Sequence, residues 1–231
     1  MNLLAVETSS SVAGVAVLRD GKLTAECYLD NRLTHSEVLM PMVERALNLA
    51  EINCAELDAF AVDVGPGSFT GVRIGVCAAN GMAAALNKPV ISVDALSAMA
   101  YNFPHFSGLV TPLLDARGDQ IYAAAFDTES GEPEPVVCRF AGEITDFIQS
   151  FPKDSRMLFL GDGAAAHREL LLSRYPSAAF APCHLNRPRA GSIAALAELK
   201  LMRGESSSSA LPLYLRSPQA ERMRALREQN G

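Results

Sequence analysis

The glycine-rich stretch at residues 65–75, GPGSFTGVRIG, constrains the fold of this chain more than any other segment. It follows an apolar run, residues 57–64, whose β-branched and aromatic side chains predict a buried strand. It leads into residues 72–86, which are alanine-rich and too long for a strand. Gly65 and Gly67 permit positive φ or a close backbone approach. The sequence therefore predicts a strand, a tight turn and a helix.

This turn has two interpretations that the spacing alone leaves open. In one, free amides and the helix dipole at the helix N-terminus bind an anion or a nucleotide phosphate. In the other, the glycines only make the turn sterically possible, with Ser68 or Thr70 capping the helix. The residues of this possible nucleotide-binding or structural loop, with acids at nearby strand ends, are Glu7, Ser9, Gly65, Gly67, Ser68, Thr70, Gly71, Arg73 and Asp115.

Three sharper glycine motifs do not fit this stretch. A Walker A loop needs a lysine near its end, and none lies between Lys22 and Lys88. The dinucleotide-binding fingerprint needs glycine where Thr70 stands. The nucleophile elbow of serine hydrolases needs glycine where Pro66 stands. The turn therefore belongs to none of these classes.

The order of predicted elements in the first half of the chain recurs in the second half. Each half reads as a β-meander, a helix, a strand, a glycine turn and a helix, with the second turn at Gly161-Asp162-Gly163. Such an internal duplication predicts an α/β protein with two similar lobes facing each other. The predicted division is residues 1–103, residues 104–216, and a charged tail helix at 217–231.

Composition indicates a globular chain that is a poor nucleic-acid binder by itself. Of 231 residues 49% are hydrophobic, which is enough for a substantial core, and the net charge is −6, which disfavours phosphate contacts. The five cysteines are dispersed singly, as is typical of free thiols in a reducing compartment. With no basic leader and no continuous apolar run of membrane-spanning length, the expectation is a cytoplasmic protein without a membrane segment.

The candidate chemistry of the chain is sparse. Glu7 and Asp115 follow the first strands of the two predicted lobes, where a two-lobed phosphotransferase would hold a nucleotide. Acids at strand ends are also ordinary turn formers. No two histidines lie three or four residues apart, so no helix presents a ready metal-binding pair, and no metal or catalytic constellation is predicted.

Two predicted helices, residues 36–50 and 71–86, could instead form a contact surface. The second carries small residues at helical spacing, and the first is rich in methionine and other apolar side chains. Packing inside the chain and packing against a partner remain equally open on the sequence. The candidate interface residues are Leu39, Met42, Val43, Ala46, Gly71, Gly75, Ala79, Met82 and Leu86.

Five segments together resemble the TsaB (YeaZ) family. They are LAVETS at 4–9, HSE at 35–37, GPGSFTGVRIG at 65–75, DAR at 115–117 and YLR at 214–216. The glycine string is highly specific, and the resemblance covers nearly the whole chain up to residue 216. It implies an α/β, two-lobed, actin-like or sugar-kinase-like ATPase fold with duplicated lobes.

The resemblance also implies a function without chemistry of its own and without a cofactor. Family members pair with the related catalytic protein TsaD, and the ATPase TsaE joins them. The assembly moves a threonylcarbamoyl group onto the tRNA adenosine beside the anticodon. The resemblance therefore implies that this subunit encounters tRNA only as part of the complex. The catalytic relative holds a metal with an H-x-x-x-H pair, whereas here His35 is followed four residues later by Leu39. That departure fits a non-catalytic subunit.

The family implies that the two helices of the first lobe form the heterodimer surface, and that homodimers use the same face. A bulky residue at Gly75 or Ala79 is then expected to weaken TsaD binding while the fold survives. The alternative from another functional class is an ATP-dependent kinase or ATPase of this fold that uses Glu7 and Asp115.

Overall fold

The computed structural model describes residues 1–31 and 33–216, which form ten β-strands, seven α-helices and two short 3-10 turns. The strands fall into two five-stranded sheets. The predicted tail helix at 217–231 lies outside the described residues.

The first sheet is built from the N-terminal part of the chain in the order β3-β2-β1-β4-β5. Its first three strands form the predicted antiparallel meander, and β4 and β5 add in parallel to β1. Its elements are β1 Asn2–Glu7, β2 Ala13–Arg19, β3 Lys22–Leu29, α1 His35–Ala50, β4 Ala59–Asp63, α2 Phe69–Leu86, β5 Val90–Val93 and α3 Ala95–Ala100.

The second sheet has the same connectivity, in the order β8-β7-β6-β9-β10. It again starts with an antiparallel meander, to which β9 and β10 add in parallel. The fold therefore contains the duplication that the sequence predicted. The elements are β6 Leu109–Asp115, β7 Gln120–Asp127, β8 Glu134–Glu143, α4 Ile144–Gln149, β9 Met157–Leu160, α5 Asp162–Ala166, α6 Arg168–Arg174 and β10 Ala179–Phe180.

Helices cover both faces of the first sheet. On one face α1 and α2 pack over the strands, and fully buried side chains such as Phe60, Val62 and Leu39 form the core there. On the other face lies α7, Ala190–Met202, whose Ile193 and Ala197 are fully buried against Leu3 and its neighbours. Helices on both faces of this mixed sheet explain why the adjacent parallel strands β1 and β4 are apolar on both sides.

The last described segment returns from the second sheet to the first. After α7, Ser207 pairs with Val90 on the edge of the first sheet, and Leu213 N–H donates to the carbonyl of Val64 at 2.7 Å. The proposed division at residue 103 remains a prediction, but residues 190–213 pack on elements that precede it.

Strand β8 and helix α7 are the longest elements that the sequence analysis did not locate. Strand β8 is partly or fully exposed along its whole length. Because one face of an edge strand meets water, its polar residues hide the strand signal. Helix α7 is apolar around most of its circumference and so lacks the amphipathic pattern on which the prediction relied.

Helix α2 is the one helix in the described part of the chain that is long and apolar enough to cross a membrane by length and composition alone. A core helix meets the same criteria. Here its buried face, which includes Val72, Val76 and Ala79, packs against the first sheet. One third of the helix is buried in this way, and much of its apolar surface is left accessible.

Candidate functional site

The glycine turn has the predicted strand–turn–helix form. Gly65 lies at φ +96°, where glycine is favoured, and Ser68 caps the helix by accepting a hydrogen bond from Gly71 N–H at 3.2 Å. Because Ser68 is the capping residue, helix α2 begins at Phe69, three residues before the predicted start at Val72.

The turn is docked tightly on the end of β1. Ser68 N–H donates to the carbonyl of Ser9 at 2.6 Å, and Thr8 Oγ1 donates to the carbonyl of Gly71 at 2.8 Å. A Cβ atom on Gly67 would overlap the Ser9 carbonyl, and one on Gly71 would overlap the Thr8 carbonyl. These two glycines therefore allow the backbone of the turn to pack directly on the backbone that follows β1. This supports the interpretation in which the glycines make the turn sterically possible.

A cleft of about 410 Å³ lies between the glycine turn, the end of β6 and the C-terminal described segment. On the first-lobe side its wall includes the hydroxyls of Ser68 and Thr70, and on the second-lobe side it includes Asp115. The remaining lining residues are Ser9, Pro66, Gly67, Phe69, Leu114, Ala116, Arg117, Tyr122, Asp162, Leu213, Tyr214, Leu215 and Arg216.

An aromatic stack closes one end of this cleft. The rings of Phe69 and Tyr214 stack with centroids 4.8 Å apart, and the Arg73 guanidinium lies 3.8 Å from the Phe69 centroid. Arg73 Nε also donates to the Tyr214 hydroxyl at 2.7 Å. The predicted site residue Arg73 is therefore engaged in holding the C-terminal segment against α2.

In the second lobe, the Asp162 carboxylate binds one amide of the glycine turn and one at the end of β6. Asp162 Oδ1 accepts from Asp115 N–H at 2.9 Å and from Gly163 N–H at 3.0 Å, and Oδ2 pairs with Arg187 at 2.7 Å. A phosphate at this place would need those amides and would meet a negative charge. The arrangement holds an internal anion where a nucleotide-binding turn would hold an external one.

The predicted pairing of Glu7 and Asp115 across the cleft is wrong. Asp115 lines the cleft, but Glu7 is fully buried beneath the β1 end and does not reach it. The reason is that Glu7 is the last residue of β1, on a strand covered by helices on both faces, and its carboxyl is held by Ser9 in the interior.

Glu7 instead belongs to a buried cluster with Ser9 and Asp63. Glu7 Oε1 accepts from Ser9 N–H at 2.8 Å and lies 2.6 Å from Ser9 Oγ, which is also 2.8 Å from Asp63 Oδ2. Asp63 Oδ1 accepts from Gly65 N–H at 2.7 Å. All three side chains are at most 1% exposed. The cluster ties the glycine turn to β1 from below.

Burial governs the protonation of this cluster. Desolvation raises the pKa of Glu7 well above its ordinary value, and the neighbouring Asp63 carboxyl raises it further. Desolvation likewise raises the pKa of Asp63 to about 7, against the opposing effect of its hydrogen bond from Gly65. Burial thus shifts both carboxyls toward the neutral form, compared with free carboxyls in water.

Sequence reasoning missed Asp63, although a signal was present. Strands β1 and β4 are adjacent and parallel, with Val6 opposite Val62 in the register. The next residues on the two strands, Glu7 and Asp63, therefore emerge side by side at the carboxyl edge of the sheet. An acid ending each of two apolar runs would have predicted this neighbourhood once parallel pairing was assumed.

Among the described residues no group of three or more histidine, cysteine or acidic side chains is placed to hold a metal ion. His35 lies at the start of α1, and its Nε2 is 2.8 Å from the Ser10 carbonyl. It links α1 to the loop after β1.

Most of the candidate interface residues face the interior of this chain. Leu39, Met42, Val43 and Ala46 are at most 9% exposed in the core between α1 and the sheet. On α2 the small-residue stripe of Gly71, Gly75 and Ala79 is buried as well, and only Met82 and Leu86 of the set remain half-buried. The small residues permit the close approach of α2 to the sheet.

The expectation that a bulky residue at Gly75 leaves the fold intact is wrong. A Cβ atom at that position would overlap Thr8 Oγ1, which is itself hydrogen-bonded to the Gly71 carbonyl at 2.8 Å. By contrast, a Cβ at Gly81 on the same helix meets nothing within 4 Å. Any contact with a partner therefore has to use the opposite side of these helices.

That side of the two helices carries accessible apolar and small residues among polar ones such as Glu44 and Arg45. On α1, Met40 is 50% exposed, and the neighbouring Leu33, just before the helix, is 54% exposed. On α2 the exposed positions Cys77, Gly81 and Ala85 follow helical spacing. Leu33, Met40 and these three positions of α2 are called the helix surface below.

Two lobes of this connectivity around a common cleft define the fold shared by actin-like ATPases and sugar kinases. The activator of 2-hydroxyisocaproyl-CoA dehydratase from Clostridium difficile, solved with bound ADPNP, superimposes with a TM-score of 0.51 at 9% identity, over 94% of this chain and 100% of that one. A likeness at this identity concerns the fold alone.

Closer similarities place the chain in one family. The family model described as tRNA N6-adenosine threonylcarbamoyltransferase, TsaD, matches residues 31–223. The tRNA threonylcarbamoyladenosine biosynthesis protein TsaB of Bacillus subtilis is 33% identical over 223 residues, or 96% of each chain. A Pseudomonas aeruginosa structure, described as similar to peptidase YeaZ, gives a TM-score of 0.81 at 29% identity, over 93% of this chain and 99% of that one. The chain belongs to the TsaB (YeaZ) family and is involved in the biosynthesis of tRNA threonylcarbamoyladenosine.

Proposed function

We propose that this chain is a non-catalytic subunit that pairs with a TsaD-type protein during threonylcarbamoyl transfer to the tRNA adenosine beside the anticodon. Family membership supports the pathway and suggests TsaD as the partner. Catalysis then belongs to TsaD, and this chain contributes a binding surface.

The observation that carries the proposal is that amides at both glycine turns already donate to acceptors of the same chain. In the first glycine turn, the Ser68 amide donates to the Ser9 carbonyl and the Gly65 amide donates to the Asp63 carboxyl. In the second lobe, the carboxylate of Asp162 accepts the amides of Gly163 in the turn and of Asp115 at the end of β6. A nucleotide that bound here in the manner of an actin-like ATPase would have to displace these internal acceptors, each of which forms short hydrogen bonds.

The helix surface supplies a place for the partner. Met40 is a flexible apolar contact, and Gly81 and Ala85 allow a second helix to approach closely. The same surface would pair two copies of this chain when TsaD is absent. A TsaE-type ATPase would join the pair, and tRNA would be met through the complex, since this chain carries a net charge of −6. Such a role places it in the cytoplasm, without a membrane segment.

The proposal is tested by titrating purified TsaD of the same organism with this chain and following the complex by calorimetry and analytical ultracentrifugation. We expect a 1:1 complex that forms at the expense of any homodimer, because both use the helix surface. Absence of a complex at concentrations of tens of micromolar would contradict the proposal.

A second candidate function is ATP hydrolysis or phosphoryl transfer in the cleft, which is polar and carries the accessible carboxylate of Asp115. It requires turnover by the isolated chain that disappears in Asp115→Ala. Activity that survives this change unaltered would come from a contaminant or from another site.

A further inference from the structure

The geometry of the buried Glu7–Ser9–Asp63 cluster sets the minimum number of protons on its two carboxyls. Ser9 Oγ lies within hydrogen-bond distance of both carboxyls, at 2.6 Å from Glu7 Oε1 and 2.8 Å from Asp63 Oδ2. A hydroxyl carries one hydrogen, so it can donate to one of these oxygens only. The other oxygen must carry a hydrogen and donate it to Ser9. At least one of the two carboxyls is therefore protonated whenever this geometry holds.

In the described part of the chain, no positive charge is paired with the cluster. Glu7 Oε2 is buried without a hydrogen-bond partner among the described groups, which is costly for a charged carboxylate oxygen. The two acids can stay buried together only as a proton-sharing pair.

The charged groups on the surrounding elements add to this requirement. On the α3 side, Asp94 raises the pKa of Asp63 and is itself bound by Ser97 and, at 3.3 Å, by Arg139 of β8. On the β3 side lies Tyr28, whose pKa is raised by burial and also by the charge of Glu7, and Arg189 lies 5.9 Å from the centroid of its ring.

On the remaining sides the neighbours of the cluster do not neutralise it. Arg189 is committed to Glu26, and Arg187 to Asp162. From α1, His35 binds the Ser10 carbonyl and not a carboxyl of the cluster. From α2, the contact to the β1 end is the uncharged bond between Thr8 and Gly71.

The same pair holds the glycine turn in place. Asp63 accepts the Gly65 amide, and the Ser9 residue between the two acids accepts the Ser68 amide through its carbonyl. We propose that Glu7 and Asp63 share a proton that keeps the glycine turn docked on β1, and that its loss on raising the pH undocks the turn and loosens the start of α2. A consequence for partner binding follows only if the proposed function holds, since α2 carries part of the helix surface.

The direction of the pH dependence follows from the sign of the shifts. Both carboxyls have raised pKa values in the docked state, so the docked state binds more protons than the undocked one. Docking is therefore fully favoured at low pH and weakens as the pH rises from the ordinary carboxyl range of about 4 through the docked value of Asp63 at about 7. For each proton that undocking releases, the equilibrium constant for undocking rises roughly tenfold per pH unit.

The test is amide hydrogen exchange at Gly65 and Ser68 in the isolated chain between pH 5.5 and 7.5. After division by the intrinsic exchange rate, we expect protection of these two amides to fall about tenfold or more per pH unit. The double variant Glu7→Gln, Asp63→Asn keeps both groups neutral and should remove this slope. Thr8→Val is the matched control, since it removes an uncharged bond to the same turn and should lower protection equally at every pH.

Protection that stays constant with pH in the wild type would overturn the proposal, and it needs no variant. A slope that persists in the double variant would overturn it as well. If that variant does not fold, Glu7→Gln alone should still reduce the slope. TsaD affinity is measured over the same range, and is expected to fall with pH in parallel. If protection of the turn falls with pH while TsaD affinity stays constant, the coupling to the partner is overturned but the shared proton remains supported. The two failures are therefore distinguishable.

Discussion

Gly75→Ala is expected to lower the melting temperature of the protein by roughly 5–10 °C, although alanine is the better helix former. The new Cβ would overlap Thr8 Oγ1 at a fully buried contact. Overpacking of this kind costs about 1–3 kcal/mol, and loss of the buried Thr8–Gly71 hydrogen bond adds about 1–3 kcal/mol. Together they exceed the gain of about 1 kcal/mol from helix propensity. Thermal unfolding followed by circular dichroism measures the difference.

Gly81→Ala is the matched control, six residues further along the same helix. Its Cβ meets nothing within 4 Å, so only the helix propensity changes. We expect stabilisation of about 1 kcal/mol, which for a chain of this size raises the melting temperature by about 2–4 °C. Equal shifts for the two variants would show that α2 does not approach β1 as closely as described.

Gly81→Arg is expected to weaken TsaD binding at least thirtyfold while leaving the fold intact. The side chain would project from the centre of the accessible face of α2, where a partner helix needs close approach. Placing a charge at the centre of a desolvated interface typically costs 2 kcal/mol or more, which is about thirtyfold. Titration calorimetry with TsaD measures the change, and circular dichroism verifies the fold.

Ala165→Arg provides the control for Gly81→Arg. Ala165 is exposed on α5 of the second lobe, so the same side chain is added away from the helix surface. Its TsaD affinity should match that of the wild type. Equal weakening by both variants would point to a non-specific charge effect, and normal binding by Gly81→Arg would place the interface elsewhere.

The sequence predicted the architecture well because the pattern of each lobe is local. The predicted strand, tight turn and helix around residues 65–75 are present, and Ser68 is one of the two predicted caps. The repeated order of meander, helix, strand and turn was sufficient to predict two lobes, since each step is set by neighbouring residues.

The site was harder to predict because its decisive contacts join residues that are distant in sequence. The buried Glu7–Asp63 pair depends on the parallel register of β1 and β4, and the burial of Gly71 and Gly75 depends on how closely α2 lies over β1. A small-residue stripe looks the same whether it packs on its own sheet or on a partner. Only the three-dimensional arrangement shows that the stripe faces inward and that Gly81 faces outward.

The central claim is that this chain supports threonylcarbamoyl transfer without chemistry of its own. The most direct measurement is formation of the modified adenosine in tRNA by TsaD, TsaE and the enzyme that makes threonylcarbamoyl-adenylate, with and without this protein. We predict that modification requires its addition, that Asp115→Ala supports the same rate as the wild type, and that Gly81→Arg does not restore modification at equal concentration. Loss of modification with Asp115→Ala, at unchanged affinity for TsaD, would contradict the account and assign chemistry or a ligand to the cleft.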